Sequence, residues 1–123
     1  MLKIRQEQVD ALLAVRWDAF YRRVCAHVRK EFPKEAARLG EVGLRSVFDS
    51  SVTRSDRFGL RTERQIVCIV DATVMLGDRF EEQARYDWAL QVLTSPHLIA
   101  DDRARLVLVT AAKVAPPSEA VSG

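Results

Sequence analysis

At 123 residues and 13.9 kDa the chain is one domain, long enough to bury a core without disulfides or a structural metal. Its 19 basic and 17 acidic side chains leave a net charge of only +2, too balanced to imply nucleic acid or an anionic membrane as partner. No run approaches about 18 apolar residues, so no membrane-spanning helix is expected. The N-terminus lacks a signal peptide's basic-then-apolar order, with Arg5, Gln6, Glu7, Gln8 and Asp10 interrupting it, which points to a cytoplasmic protein.

Residues 5–32 read as one long amphipathic helix. Val9, Leu13, Trp17, Phe20, Val24 and Val28 recur every three or four positions, and Leu12 and Cys25 widen the stripe. Glu7, Asp18, Arg22 and Arg29 fall on the opposite face. Phe32-Pro33 ends the helix, because a residue before proline avoids helical geometry. A short helix is expected from Pro33 to Leu39, stopped by Gly40, and a longer one over 41–57. In the latter, Leu44, Val47, Phe48 and Val52 form the apolar stripe, and Ser50, Ser51 and Ser55 are small enough for close approach. Phe58-Gly59-Leu60 is a turn.

The stretch from Thr62 to Gly77 organises the rest. Between Ile66 and Leu76 only Asp71 and Thr73 are polar, so the segment must be wrapped by other elements. Its Ile, Val and Thr content also suits a buried strand. Its length favours a helix, and so do its ends: Thr62 and Gln65 fit a capping box, and Gly77 fits a left-handed stop. Asp78 to Gln83 is a polar connection with Phe80 folded back into the core. A helix over 84–94 turns Trp88, Ala89, Val92 and Leu93 inward. Ser95-Pro96 breaks it, and Asp101 or Asp102 caps a last helix over 102–114 bearing Leu106, Val107, Val109 and Val114. A disordered tail is expected over 115–123. The expected fold is all-α: a compact bundle of about five helices, in one domain over 1–114, around a central apolar helix at 63–77.

The chain is sparing with chemistry. Cys25 and Cys68 lie in apolar surroundings without a Cys-x-x-Cys spacing and read as reduced packing residues. With two Cys and two His scattered along the chain, a zinc site is not expected. Asp78, Glu81 and Glu82 lack the order and central glycine of a calcium loop. The five glycines are separate, so there is no phosphate-binding loop and no cofactor is expected. Helices 41–57 and 63–76 superficially suggest a helix-turn-helix, but Ile66-Val67-Cys68-Ile69-Val70 is too apolar to read a DNA groove.

Asp71 is the most informative polar residue. A carboxylate in so apolar a helix needs a partner, and Arg16 and Arg23 of the first helix are the candidates for a structural ion pair. A general acid or base built on Asp71 or His27 is the competing reading. His97 belongs to an exposed loop. Residues 1–60 carry 12 basic and 8 acidic side chains, so a basic docking face containing Arg22, Arg29 and Lys30 is a candidate partner site. Trp17 and Trp88 both fall on inward stripes, so core burial is expected for each.

Several pieces in order resemble a family of small helical bacterial proteins encoded beside type VI secretion spike, effector and effector-adaptor genes. They are Ile4-Arg5-x-x-Gln8, Phe32-Pro33, Phe58-Gly59-Leu60-x-Thr62-Glu63-x-Gln65, Gly77-x-x-Phe80-Glu81 and Trp88-Ala89-x-x-Val92-Leu93, spread over residues 4–108. Family members often carry Tyr or Phe before the first of those glycines and Asp where Gln65 stands. The resemblance implies a non-enzymatic, co-chaperone-like accessory that helps an effector adaptor or chaperone hold a toxin for loading. It supplies no catalytic residues. An immunity protein that neutralises a cognate toxin is the alternative.

Overall fold

The computed structural model describes residues 6–116, with side chains from Ala14 onward. It is all-α: α1 (Gln6–Glu31), α2 (Pro33–Arg57), α3 (Glu63–Leu76), α4 (Asp87–Leu93) and α5 (Ala100–Val114), with no strand among the described residues. The side chains of Glu7, Val9, Leu12 and Leu13, the Ile4-Arg5 start and the tail beyond Pro116 lie outside the described residues. No described helix is long and apolar enough to cross a membrane.

Pro33 opens α2 one residue after α1 closes, and the two helices fold back antiparallel, with Trp17 meeting Phe48 near one end and Arg29 meeting Glu41 near the other. The expected short and long helices are one element broken at Gly40, whose φ of 66° and ψ of −174° are non-helical. A residue with a Cβ would be strained there.

The α3 N-terminus is fixed as its sequence requires. Thr62 Oγ1 accepts from the Gln65 amide at 3.1 Å, and Gln65 Oε1 accepts from the Thr62 amide at 3.2 Å. At the other end Gly77, at φ 105°, donates its amide to the Thr73 carbonyl at 2.8 Å. Its ψ of 161° is extended, so the stop uses positive φ without the left-handed helical turn.

The apolar character of α3 has a direct explanation: it serves two cores. Ile66, Val70 and Val74, one helical repeat apart, join Phe20, Val24, Val28, Leu44 and Phe48 of α1 and α2. Ile69, Ala72 and Leu76, on the other side, join Leu60, Phe80, Leu93 and Val107. Ala104 and Ala111 of α5, both buried, let that helix lie close against α3. Ser51 and Ser55 are likewise fully buried on α2.

Three expectations need correction. The helix expected over 84–94 begins only at Asp87, because Ala84–Tyr86 is a separate 3₁₀ turn that buries Tyr86. The last helix begins at Ala100, and neither Asp101 nor Asp102 caps it; Asp101 Oδ1 accepts instead from Gln65 Nε2 at 2.7 Å, joining the starts of α3 and α5. Trp17 is 44% exposed, set between a groove toward α2 and another toward the start of α3, whereas Trp88 is partly buried against the α3–α4–α5 core.

The connections carry their own polar logic. Arg103 of α5 donates through one terminal nitrogen to the Phe58 carbonyl at 2.7 Å and the Leu93 carbonyl at 2.8 Å. One cation therefore satisfies the C-terminal ends of α2 and α4, where the helix dipoles favour positive charge.

Candidate functional site

Polar and charged side chains gather at three places: Asp71, the N-terminal basic residues, and the groups buried at the α2–α3 junction. Asp71 is 7% exposed, and the Arg16 or Arg23 ion pair expected for it is not formed. Its partner is His27, whose Nε2–H is shared between Oδ1 at 2.8 Å and Oδ2 at 3.0 Å. The reason is register. α1 and α3 run in the same sense, so Arg23 falls one turn short of His27 and meets Glu63 at 2.6 Å. Arg16 lies further back, around a groove with Arg61 and Glu63.

Burial pushes the Asp71 carboxyl above its ordinary range; the His27 imidazole opposes this, and Glu31 adds to it. The His27 side chain is 34% exposed and lines a groove of about 240 Å³ with Phe20, Arg23, Val24, Glu63, Arg64 and Val67. A carboxylate and a histidine thus converge beside a groove, an arrangement able to move a proton. It has no activated nucleophile beside it. Cys68, three residues before Asp71, packs against the α3–α5 core, and burial followed by the charge of Asp71 raises its thiol, the wrong direction for a thiolate. Cys25 is buried in the α1–α2 core. Among the described residues no group of three His, Cys, Asp or Glu side chains is placed to hold a metal ion.

The raised Asp71 value fixes the sign of a pH effect. A carboxyl whose folded pKa lies above its unfolded value favours folding in its protonated form. That contribution is whole below the unfolded value of about 3.9 and is lost as pH rises through the folded one. Asp71→Asn keeps an acceptor for His27 and removes the titration, at a cost or gain within about 1 kcal/mol at neutral pH. The stability of Asp71→Asn relative to the parent should therefore rise from pH 4 upward in urea titrations. A difference that is flat or falls with pH contradicts the assignment.

The basic candidates are exposed, and two of the three are paired. Arg22 pairs with Asp18 one turn before it, and Arg29 pairs with Glu41 at 3.2 Å. Lys30 is exposed in the last turn of α1. They do not form a free basic patch.

A larger groove than the one at His27 lies on the α1–α2 pair, with a volume of about 530 Å³ and Trp17, Phe48 and Val52 in its lining with Asp18, Arg45 and Asp49. Trp17 meets Phe48 edge-on at 6.2 Å, Tyr21 meets Phe48 at 5.1 Å, and the Arg45 guanidinium lies 4.5 Å from the Tyr21 ring centroid. The helical stripes place Trp17, Phe48 and Val52 in the core. What the stripe does not show is that beside Trp17 the described residues of α1 and α2 leave an open groove.

The third place is a buried ion pair whose polar surroundings reach solvent at Asp78. Arg54 and Glu81, at 5% and 3% exposure, form a two-armed pair, and the Nε arm measures 2.8 Å. Arg54 also donates to Thr73 Oγ1 at 3.1 Å, while Ser50 donates to Asp78 at 2.6 Å beside it. Every strong acceptor there is satisfied within the cluster, which makes it structural.

Compared with known proteins, the chain matches no family model, no curated protein and no solved structure.

Proposed function

We propose that the chain is a non-enzymatic protein-binding accessory, acting in a co-chaperone-like way with an effector adaptor or chaperone of a type VI secretion cluster. The secretion setting rests on the ordered sequence pieces from Phe32-Pro33 to Trp88-Ala89. The binding role rests on one observation: a tryptophan 44% exposed in an aromatic- and arginine-lined groove. Trp, Tyr and Arg are enriched among the strong anchors of protein interfaces, the two aromatics because they bury large area at low entropic cost and Arg through its planar, multiply donating guanidinium. Arg45, stacked on Tyr21 and Phe48, is already held in place for such a contact.

The test is co-purification with the products of neighbouring genes, followed by growth rescue from the toxin. Capture of the adaptor without rescue supports the reading, and rescue without adaptor binding assigns an immunity role. Trp17→Ala should weaken adaptor binding by about 2 kcal/mol, roughly 30-fold, with unchanged helical content. Binding that survives Trp17→Ala removes the groove from the account.

The His27–Asp71 pair favours a second reading, proton-transfer chemistry in the neighbouring groove. His27→Gln separates the two. A binding protein keeps its partner and its growth phenotype after this substitution, whereas an acid–base enzyme loses its phenotype while still folding.

A further inference from the structure

Beyond that reading, and independent of it, α5 carries a face that no other described element covers. Leu106 and Val109 are 42% and 44% exposed on the side of the helix opposite the buried Ala104, Val107 and Ala111. Asp102 and Lys113 are exposed on the same stripe, one at each end. Neither makes an ion pair or side-chain hydrogen bond among the described residues.

The spacing is what gives this face a specific occupant. From Asp102 to Leu106 is four residues, from Leu106 to Val109 three, and from Val109 to Lys113 four. That 4-3-4 pattern reads the same from either end, and it is the spacing of a helix seam that packs at a shallow crossing angle. Its two ends carry opposite charge. A two-fold axis through the midpoint of Leu106 and Val109 therefore sets Leu106 against Val109 of the second copy and Asp102 against Lys113 of the second copy, twice over. Arg105 falls nearest Ala112 of the second copy, so the register sets no second cation against it. An isologous interface requires such self-complementarity, which an apolar stripe alone does not supply.

We propose that α5 is a self-association face on which two copies of this chain pair antiparallel, with Leu106 and Val109 at the centre and Asp102–Lys113 pairs at both ends. A single helix pair buries less than the ~1,200 Å² of a stable interface, so the dimer belongs to the transient class. α5 packs on the side of α3 away from α1 and α2. The dimer therefore presents two Trp17 grooves outward, and a partner with two matching sites gains avidity from it.

The experiment is sedimentation equilibrium of the full chain from about 10 μM to 1 mM at low salt, where exposed charge pairs are least screened. A dimer should accumulate at the upper end of that range, weaken with added salt, and be lost in Leu106→Asp. Asp102→Lys and Lys113→Asp should each weaken it about tenfold, since the symmetry breaks two pairs at once. An equimolar mixture of those two variants restores both pairs and should dimerise as the parent does. Circular dichroism of each variant confirms that the helices remain. A monomer throughout, a dimer indifferent to Leu106→Asp, or a mixture no tighter than its components overturns the proposal.

Discussion

Arg54→Met should cost about 3–5 kcal/mol in urea unfolding, among the largest effects of any single substitution in this chain. The substitution preserves much of the side chain's volume, so the loss is electrostatic. It strands the Glu81 carboxylate, 3% exposed, with no cation and no water to replace the two-armed contact. The remaining partners lose less. Thr73 Oγ1 still donates to the Ile69 carbonyl at 2.7 Å, and Ser50 still donates to Asp78. The double variant Arg54→Met with Glu81→Leu should accordingly recover most of the loss, because an apolar pair needs no desolvation. The non-additivity between the single and double variants measures the pair itself. A single-variant cost below about 1 kcal/mol, or a double variant no better than Arg54→Met, would show that the carboxylate finds water after all.

The helices were legible in the sequence, and their contacts across the bundle were not. The period of Phe20, Val24 and Val28, the Thr62–Gln65 box and the Gly77 stop are local, and local signals survive folding. Asp71 announced that it needed a partner. Its identity depended on the register between α1 and α3, which helical periodicity does not contain. One readable clue pointed to His27: it lies seven residues after Phe20, on the same face. Arg54 offered a similar clue. It lies seven residues after Val47, within the apolar stripe of α2, so a buried cation was implied and an acidic partner had to exist. Glu81 could not be named because its placement depends on the backbone at Arg79, which takes the left-handed conformation at φ 54°. Glycine commonly marks such a turn, and here it does not. The Trp17 groove was hidden for the converse reason: an apolar stripe does not say where along its length the neighbours end.

Phe80→Ala should destabilise by about 3–5 kcal/mol, lowering the melting temperature by roughly 10–20 °C. The ring is fully buried among Leu60, Leu76, Tyr86 and Leu93, and the connection holding it is short, so the cavity has little means of collapse. The Arg54 guanidinium lies 5.2 Å from the ring centroid, so Phe80 also covers the buried pair. Removing the ring opens a route for water to Glu81. The loss in the double variant Phe80→Ala with Arg54→Met should then fall short of the sum of the single losses by about 0.5–2 kcal/mol. Strict additivity would mean that the ring fills space without shielding the charges. Trp17 and Phe48 belong to the α1–α2 side, across α3 from this cluster, and depend on it only through global folding. Below its lowered melting point Phe80→Ala should therefore bind the partner as tightly as the parent chain. Equal affinity with reduced stability separates the two sides of α3 by role: one side holds the fold, and the other is free to carry the contact.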